Sequence, residues 1–209
     1  MINRDISELF SSLFLYVKET VFSGLPAHLY YHLPEHTFCD VLPHAEELAG
    51  LEGVVSEELF LLKIAVLFHD TGFTKVYTNN ESIGADIAET ALKSFAFSNY
   101  QIATVKNIVM ATSSNSINSD GHIQSAGENI LEQIICDADL DNLGRDDFFE
   151  RGEDLRKELS FQGKIMSDKE WYLHQLDFIK SHSYYTKSAH NLRDAGKEKN
   201  IRKLGQFLK

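Results

Sequence analysis

Proline is scarce in this sequence: Pro26, Pro34 and Pro43 are the only three, all in the first quarter of 209 residues. A chain that then runs on without the residue that breaks helices favours helices. Cysteine is scarcer still. Cys39 and Cys136 lie far apart within helical patterns, so they read as reduced, buried thiols and not as a disulfide scaffold. No stretch approaches the roughly 18 uninterrupted apolar residues of a membrane span. The opening Met-Ile-Asn-Arg-Asp-Ile-Ser-Glu-Leu-Phe carries acids where a signal peptide needs bases. Together these features predict a cytoplasmic protein. Positive charge is also in deficit, with 20 Lys and Arg against 31 Asp and Glu. A net charge of −11 argues against nucleic acid or an anionic membrane as partner. It leaves room for a small phosphorylated molecule, held by a metal or by a local basic cluster. Residues 186–209 form one such cluster, with seven Lys or Arg against Asp194 and Glu198. A solvated basic helix is its ordinary reading, and a basic cover over an acidic pocket is the alternative.

What is present is helical spacing almost everywhere. Ile6, Leu9, Phe10, Leu13, Phe14, Val17 and Val21 recur at threes and fours, a first helix that Gly24 and Pro26 end. A second starts around Pro34 and carries Val41, Leu42, Ala45, Leu48 and Ala49, with a kink expected at Pro43. Ser56 is the expected N-cap of a third helix that turns apolar on all sides from Leu59 to Phe68, which marks the central, buried one. Further helices are predicted over 81–95, 99–111, 128–142, 146–159 and 168–182, with a last one in the basic tail. The segment 113–127, rich in Ser, Asn and Gly, is the one long loop. No strand alternation competes. At 43% hydrophobic and 24% charged residues, the chain is predicted to form one all-α domain over 1–209.

His69-Asp70 closes the most apolar helix of the chain. An ionisable pair buried there is costly unless matched by a cation or by hydrogen bonds. Taken alone, the pair could simply be a histidine meeting the negative end of a helix dipole. It is not alone. Tyr31-His32-Leu33-Pro34-Glu35-His36-Thr37 leads into the second helix, and Cys136-Asp137-Ala138-Asp139-Leu140-Asp141-Asn142-Leu143-Gly144 closes a later apolar one. Three helices each bring a His or Asp out of hydrophobic surroundings, as a site built between packed helices requires.

The order His, then His-Asp, then Asp resembles the HD superfamily of metal-dependent phosphohydrolases. The resemblance covers 31–144 and continues through Trp171, Gln175-Leu176-Asp177-Phe178, His182, Tyr185-Thr186 and Ser188-Ala189, similar to bacterial members of unassigned substrate. It implies an all-α bundle and one divalent metal ion, of Mn, Fe, Co, Ni or Zn with Mg also open, held by His36, His69, Asp70 and Asp139. It prefers Asp139 because the family's ligand follows Ala. Residues two apart on a helix point about 200° apart, so Asp137 and Asp141 read as solvated or supporting. His32 matches the histidine with which cyclic-nucleotide phosphodiesterases of the superfamily protonate the leaving group; a surface histidine ahead of a helix is the equal alternative. Asp70 doubles as a catalytic residue. Lys75 and Arg145 are the nearest candidates to bind substrate phosphate.

The implied activity is hydrolysis of a phosphomonoester or phosphodiester, with a nucleotide as the leading substrate class. The pattern also departs from its relatives. Thr112 stands where two-metal members place a histidine, and His122 is the only histidine between Asp70 and Asp139. Thr71-Gly72-Phe73-Thr74 lacks the acids that follow His-Asp in hydrolases of guanosine tetraphosphate and in HD-type 5′-nucleotidases. A metal-retaining binding or signalling module without turnover is therefore the alternative. His28, His44, His174, His182 and His190 are read as packing or surface residues.

Overall fold

The computed structural model describes residues 6–113 and 123–209, so His122 lies outside the described residues. The described chain is all-α, as the sequence predicts. Helices α1 (Ile6–Tyr16), α2 (Leu42–Leu51), α3 (Ser56–Phe68), α4 (Asn80–Ser94), α5 (Asn99–Ala111) and α6 (Ile130–Asp139) enclose the main core. Helices α7 (Phe148–Phe161), α8 (Asp168–Ser181) and α9 (Lys187–Phe207) form a second layer around a smaller cluster of Leu143, Phe148, Ile179 and Leu204. None of the described helices is long and apolar enough to cross a membrane.

The apolar run of α3 fixes its place. Leu62, Ile64, Ala65, Val66, Leu67 and Phe68 are fully buried, and α1, α2, α4, α5 and α6 all pack on this helix. Each large apolar side chain so buried contributes about 1.5–3 kcal/mol. Ser56 is the first helical residue of α3 and not its N-cap; extended Val55 holds that position without a side-chain cap. Side-chain caps do occur at Ser98, Ser167 and Thr186, which open α5, α8 and α9.

Pro43 acts as expected but with a particular outcome. It has no N–H to return to Cys39, and the chain answers with a π-helical turn over His36–Val41 before α2. The N–H of Leu42 reaches back to Thr37 O. Cys39 sits on the exposed side of that turn, against the expectation of burial, while Cys136 is buried; both are free thiols.

Two acids read from sequence as solvated or supporting are part of the interior. Asp137 accepts the backbone N–H groups of Tyr185 and Thr186 at 2.8 and 2.7 Å, and burial pushes its pKa up to about 6. Asp141 accepts from Arg193 Nε at 2.5 Å and lies 3.2 Å from His44 Nε2. Arg193 of the basic tail thus meets a buried acid, which ties α9 to the turn Asp141–Gly144. The backbones nearly touch there. A Cβ on Gly196 would lie 1.9 Å from Gly144 O, so α9 can seat on this turn only with glycine at that position.

Candidate metal centre

The last turn of a helix leaves carbonyl oxygens without intrahelical partners. At the end of α3, His69 Nδ1 lies 2.8 Å from Val66 O, and Thr71 Oγ1 donates to Phe68 O at 2.7 Å. The carbonyl assigns the proton to Nδ1 and leaves Nε2 with a lone pair, the tautomer a metal ligand needs. Asp70 follows in a tight turn over Thr71–Thr74. Gly72 clamps that turn against the start of α4, where a Cβ would stand 1.8 Å from Asn80 O.

His36 arrives from the π-helical turn and Asp139 from the last position of α6. His36 Nε2 is 3.0 Å from Asp139 Oδ1 and 3.9 Å from Asp70 Oδ2. His69 Nε2 is 3.3 Å from Asp70 Oδ2 and 3.6 Å from Asp139 Oδ1. Ligand atoms of His36, His69 and Asp139 all lie within 4.8 Å of one another. A divalent ion about 2.0–2.2 Å from each donor holds neighbouring donors roughly 3 to 3.5 Å apart, so the spacing fits. The chemistry fits as well. His69 Nε2 and Asp70 Oδ2 are close but not aligned as a hydrogen bond, and both atoms are buried without a hydrogen-bond partner among the described residues. An ion between them would relieve that cost.

Electrostatics point the same way. Burial alone would lower the imidazole pKa values, but Asp139 and Asp40 around His36, and Asp70 and Asp139 around His69, raise both. Asp70 and Asp139 are held below the usual carboxylate range despite burial, through the same histidines. The cluster is built to hold positive charge. Its ligands are themselves held: Gln124 Nε2 donates to Asp139 Oδ2 at 2.6 Å, and Asp40 Oδ2 stands 3.8 Å from His36 Nδ1. Asp137, two residues from Asp139, faces the opposite side, as helix geometry requires.

No protein-family model and no curated protein matches the sequence. Solved structures match in shape along nearly the whole chain. Bacillus subtilis YpgQ in complex with ADP superposes with a TM-score of 0.63 at 16% identity, covering 95% of both chains. A protein from an uncultured Thermotogales bacterium, described as a predicted HD superfamily hydrolase, gives 0.59 at 18% identity over 98% of both. The Lin1889 protein of Listeria innocua gives 0.62 at 16% identity, covering 99% of this chain and 97% of its own. The chain shares the fold of these proteins.

Within this fold, the cluster of His36, His69, Asp70 and Asp139 lies beside a cavity of about 520 Å³. His32, Asp70, Phe73, Tyr77 and Asp139 line one side, and residues of α7 and α8 line the other. The His32 ring stacks on Phe73 with centroids 4.1 Å apart, and its Nδ1 lies 2.5 Å from Glu158 Oε1. Glu158, from α7, is fully buried. It also accepts the N–H groups of Tyr30, Tyr31 and His32 and the Tyr77 hydroxyl. Burial pushes its carboxyl up, but the His32 bond and the N–H donors outweigh burial and hold it at about 2. His32 therefore has one ring nitrogen fixed and Nε2 left for other partners.

Glu158 and Glu81 are the cavity-side acids that sequence reasoning missed. Glu158 sits among Arg-Lys-Glu-Leu-Ser on a polar helix, where an acid looks solvated. Glu81, in the first turn of α4, lines the cavity; burial, with Asp70 and Asp139 nearby, raises its pKa. Thr112 also lines the cavity, its hydroxyl donating to Val109 O. The two expected phosphate contacts lie elsewhere. Lys75 is exposed and off the cavity. Arg145 is also off it, with its donors engaged by Asp147 and Asp40, and through Asp40 it backs His36. Lys164 is the cation on the cavity wall.

Proposed function

We propose that this chain is an HD-superfamily phosphohydrolase that cleaves a phosphomonoester or phosphodiester of a nucleotide, using one divalent metal. The observation that carries this reading is that His36, His69 and Asp139 offer ligand atoms within 4.8 Å of one another, with the unpartnered, buried Asp70 Oδ2 3.3 Å from His69 Nε2, beside a cavity that His32 also lines. A bound divalent ion supplies Lewis-acid charge to the phosphoryl group and activates water as the nucleophile. The four ligand residues hold it, and Gln124 and Asp40 fix the orientation of Asp139 and His36. His32, positioned by Glu158 and Phe73, gives its proton to the departing oxygen as the P–O bond breaks and the water oxygen bonds to phosphorus. The shared fold of YpgQ, whose structure holds ADP, supports a nucleotide as substrate class.

The test is metal analysis combined with turnover of nucleoside phosphates, p-nitrophenyl phosphate and its bis ester. The expected result is about one divalent ion per chain and metal-dependent release of phosphate or nucleotide. Protein that takes up none of Mn, Fe, Co, Ni, Zn or Mg would overturn the metal site. Metal uptake without turnover of any phosphoester would favour the binding module, the reading that the acid-free Thr71-Gly72-Phe73-Thr74 stretch supports.

A further inference from the structure

The α7–α8 side of the cavity differs in kind from the side that carries the metal ligands. Trp171 lines it and is 1% exposed, yet its indole N–H meets no acceptor among the described residues. Asn142 lines it too, and its buried Oδ1 meets no donor among them. Native interiors rarely leave such groups unpaired, because each has given up its water. Phe148 and Phe178 line the same side of the cavity. Among the described residues Lys164 is the only Lys or Arg lining the cavity, so this wall offers little charge with which to hold phosphate.

A ligand that satisfies all of this has a planar, uncharged ring with an acceptor for the indole N–H and a donor for the amide oxygen. Nucleobases have that shape and that edge. We infer that the wall of Trp171, Asn142, Phe148 and Phe178 is a base-recognition subsite, and that Trp171 and Asn142 read the hydrogen-bonding edge of a nucleoside phosphate. The inference deepens the phosphohydrolase reading and rests on it only for the ligand's phosphate end.

Trp171 is the sole tryptophan of the chain, so its fluorescence reports on this wall directly. Metal-free protein would be titrated with adenosine, guanosine, cytidine and uridine, and with ribose 5-phosphate and inorganic phosphate as controls. At least one nucleoside should change the emission saturably at concentrations where neither control does. Trp171→Phe keeps an aromatic ring but removes the N–H, and Asn142→Ala removes the acceptor. Each should weaken calorimetric binding of that nucleoside about tenfold. Each should also raise the KM of its phosphate by a similar factor relative to that of ribose 5-phosphate.

Silence of Trp171 toward all four nucleosides overturns the inference, and then ordered water is what meets its N–H. An equal response to ribose 5-phosphate, or an unchanged affinity in both variants, also overturns it. Nucleoside binding without turnover of any phosphoester would keep the subsite and remove the hydrolase. Turnover with no nucleoside response would do the reverse.

Discussion

Helix α3 buries eight of its 13 residues, all apolar, whereas α9 buries three of its 21 and one of those is Asn200. The first layer is held by packing. The second is held largely by directed polar contacts: Asn200 Nδ2 donates to Leu143 O and Arg145 O at 3.0 and 2.9 Å, and Arg193 meets Asp141. The division of labour follows from this. The four candidate ligands, His36, His69, Asp70 and Asp139, come from the first layer and its exits, where an unmatched charge is most costly. Glu158, which aims His32, and Trp171, which faces the cavity, come from the second.

The largest effect that would sharpen this contrast is loss of a ligand. Asp70→Ala or His69→Ala should reduce bound metal from about one ion per chain to near none and bring turnover to background. Unpairing the remaining buried charges should also cost about 3–5 kcal/mol of stability. Metal analysis and thermal melting check both, and retention of the ion by either variant would break the assignment.

His32 and the second-layer Glu158 that aims it should show the opposite signature, with metal kept and rate lost. His32→Ala should lower kcat by roughly 10²–10⁴-fold, less for p-nitrophenyl phosphate because its leaving group needs less protonation. Glu158→Gln should lower kcat by about 10–100-fold, the size expected for a residue that orients another. Its pH signature is separate from rate. The Glu158 carboxyl titrates at about 2 in the fold against an ordinary 4.5. A depressed carboxylate stabilises fully above its unfolded value and loses that contribution as pH falls through the folded one. The parent should therefore lose stability between pH 4.5 and 2 more steeply than Glu158→Gln. Parallel melting curves across that window would remove Glu158 from the account.

Packing separates the layers less sharply. Leu67→Ala, fully buried in α3, should cost about 2–5 kcal/mol. Leu192→Ala in α9, at 38% exposure, should stay near 0.5 kcal/mol. The smallest expected effect is at Lys75, exposed and off the cavity: Lys75→Ala should leave KM and melting temperature within error. A raised KM there would return it to the substrate contacts.

The same contrast explains what was legible in the sequence. The helical period, the apolar face of α3 and the break at Pro43 are local properties, so the all-α architecture could be read directly. His69, Asp70 and Asp139 stood out as polar residues closing apolar helices, and it was the resemblance in motif order that singled them out, with His36, as ligands. Glu158 interrupts nothing: it is one acid among many on a helix rich in Glu, Asp, Arg and Lys, and only tertiary packing buries it. Arg145 failed in the other direction. Proximity in sequence to Asp139 suggested phosphate, but Asp40, more than a hundred positions earlier, already engages it.

The contact of Gly196 with Gly144 O has a consequence in time. Synthesis is vectorial, so His36, His69, Asp70 and Asp139 leave the ribosome before the helix that seats on the turn behind them. At roughly 5–20 residues per second, that delay is on the order of 3 to 10 s. During it, the turn Asp141–Gly144 stays without the helix that packs on it, until Gly196 arrives.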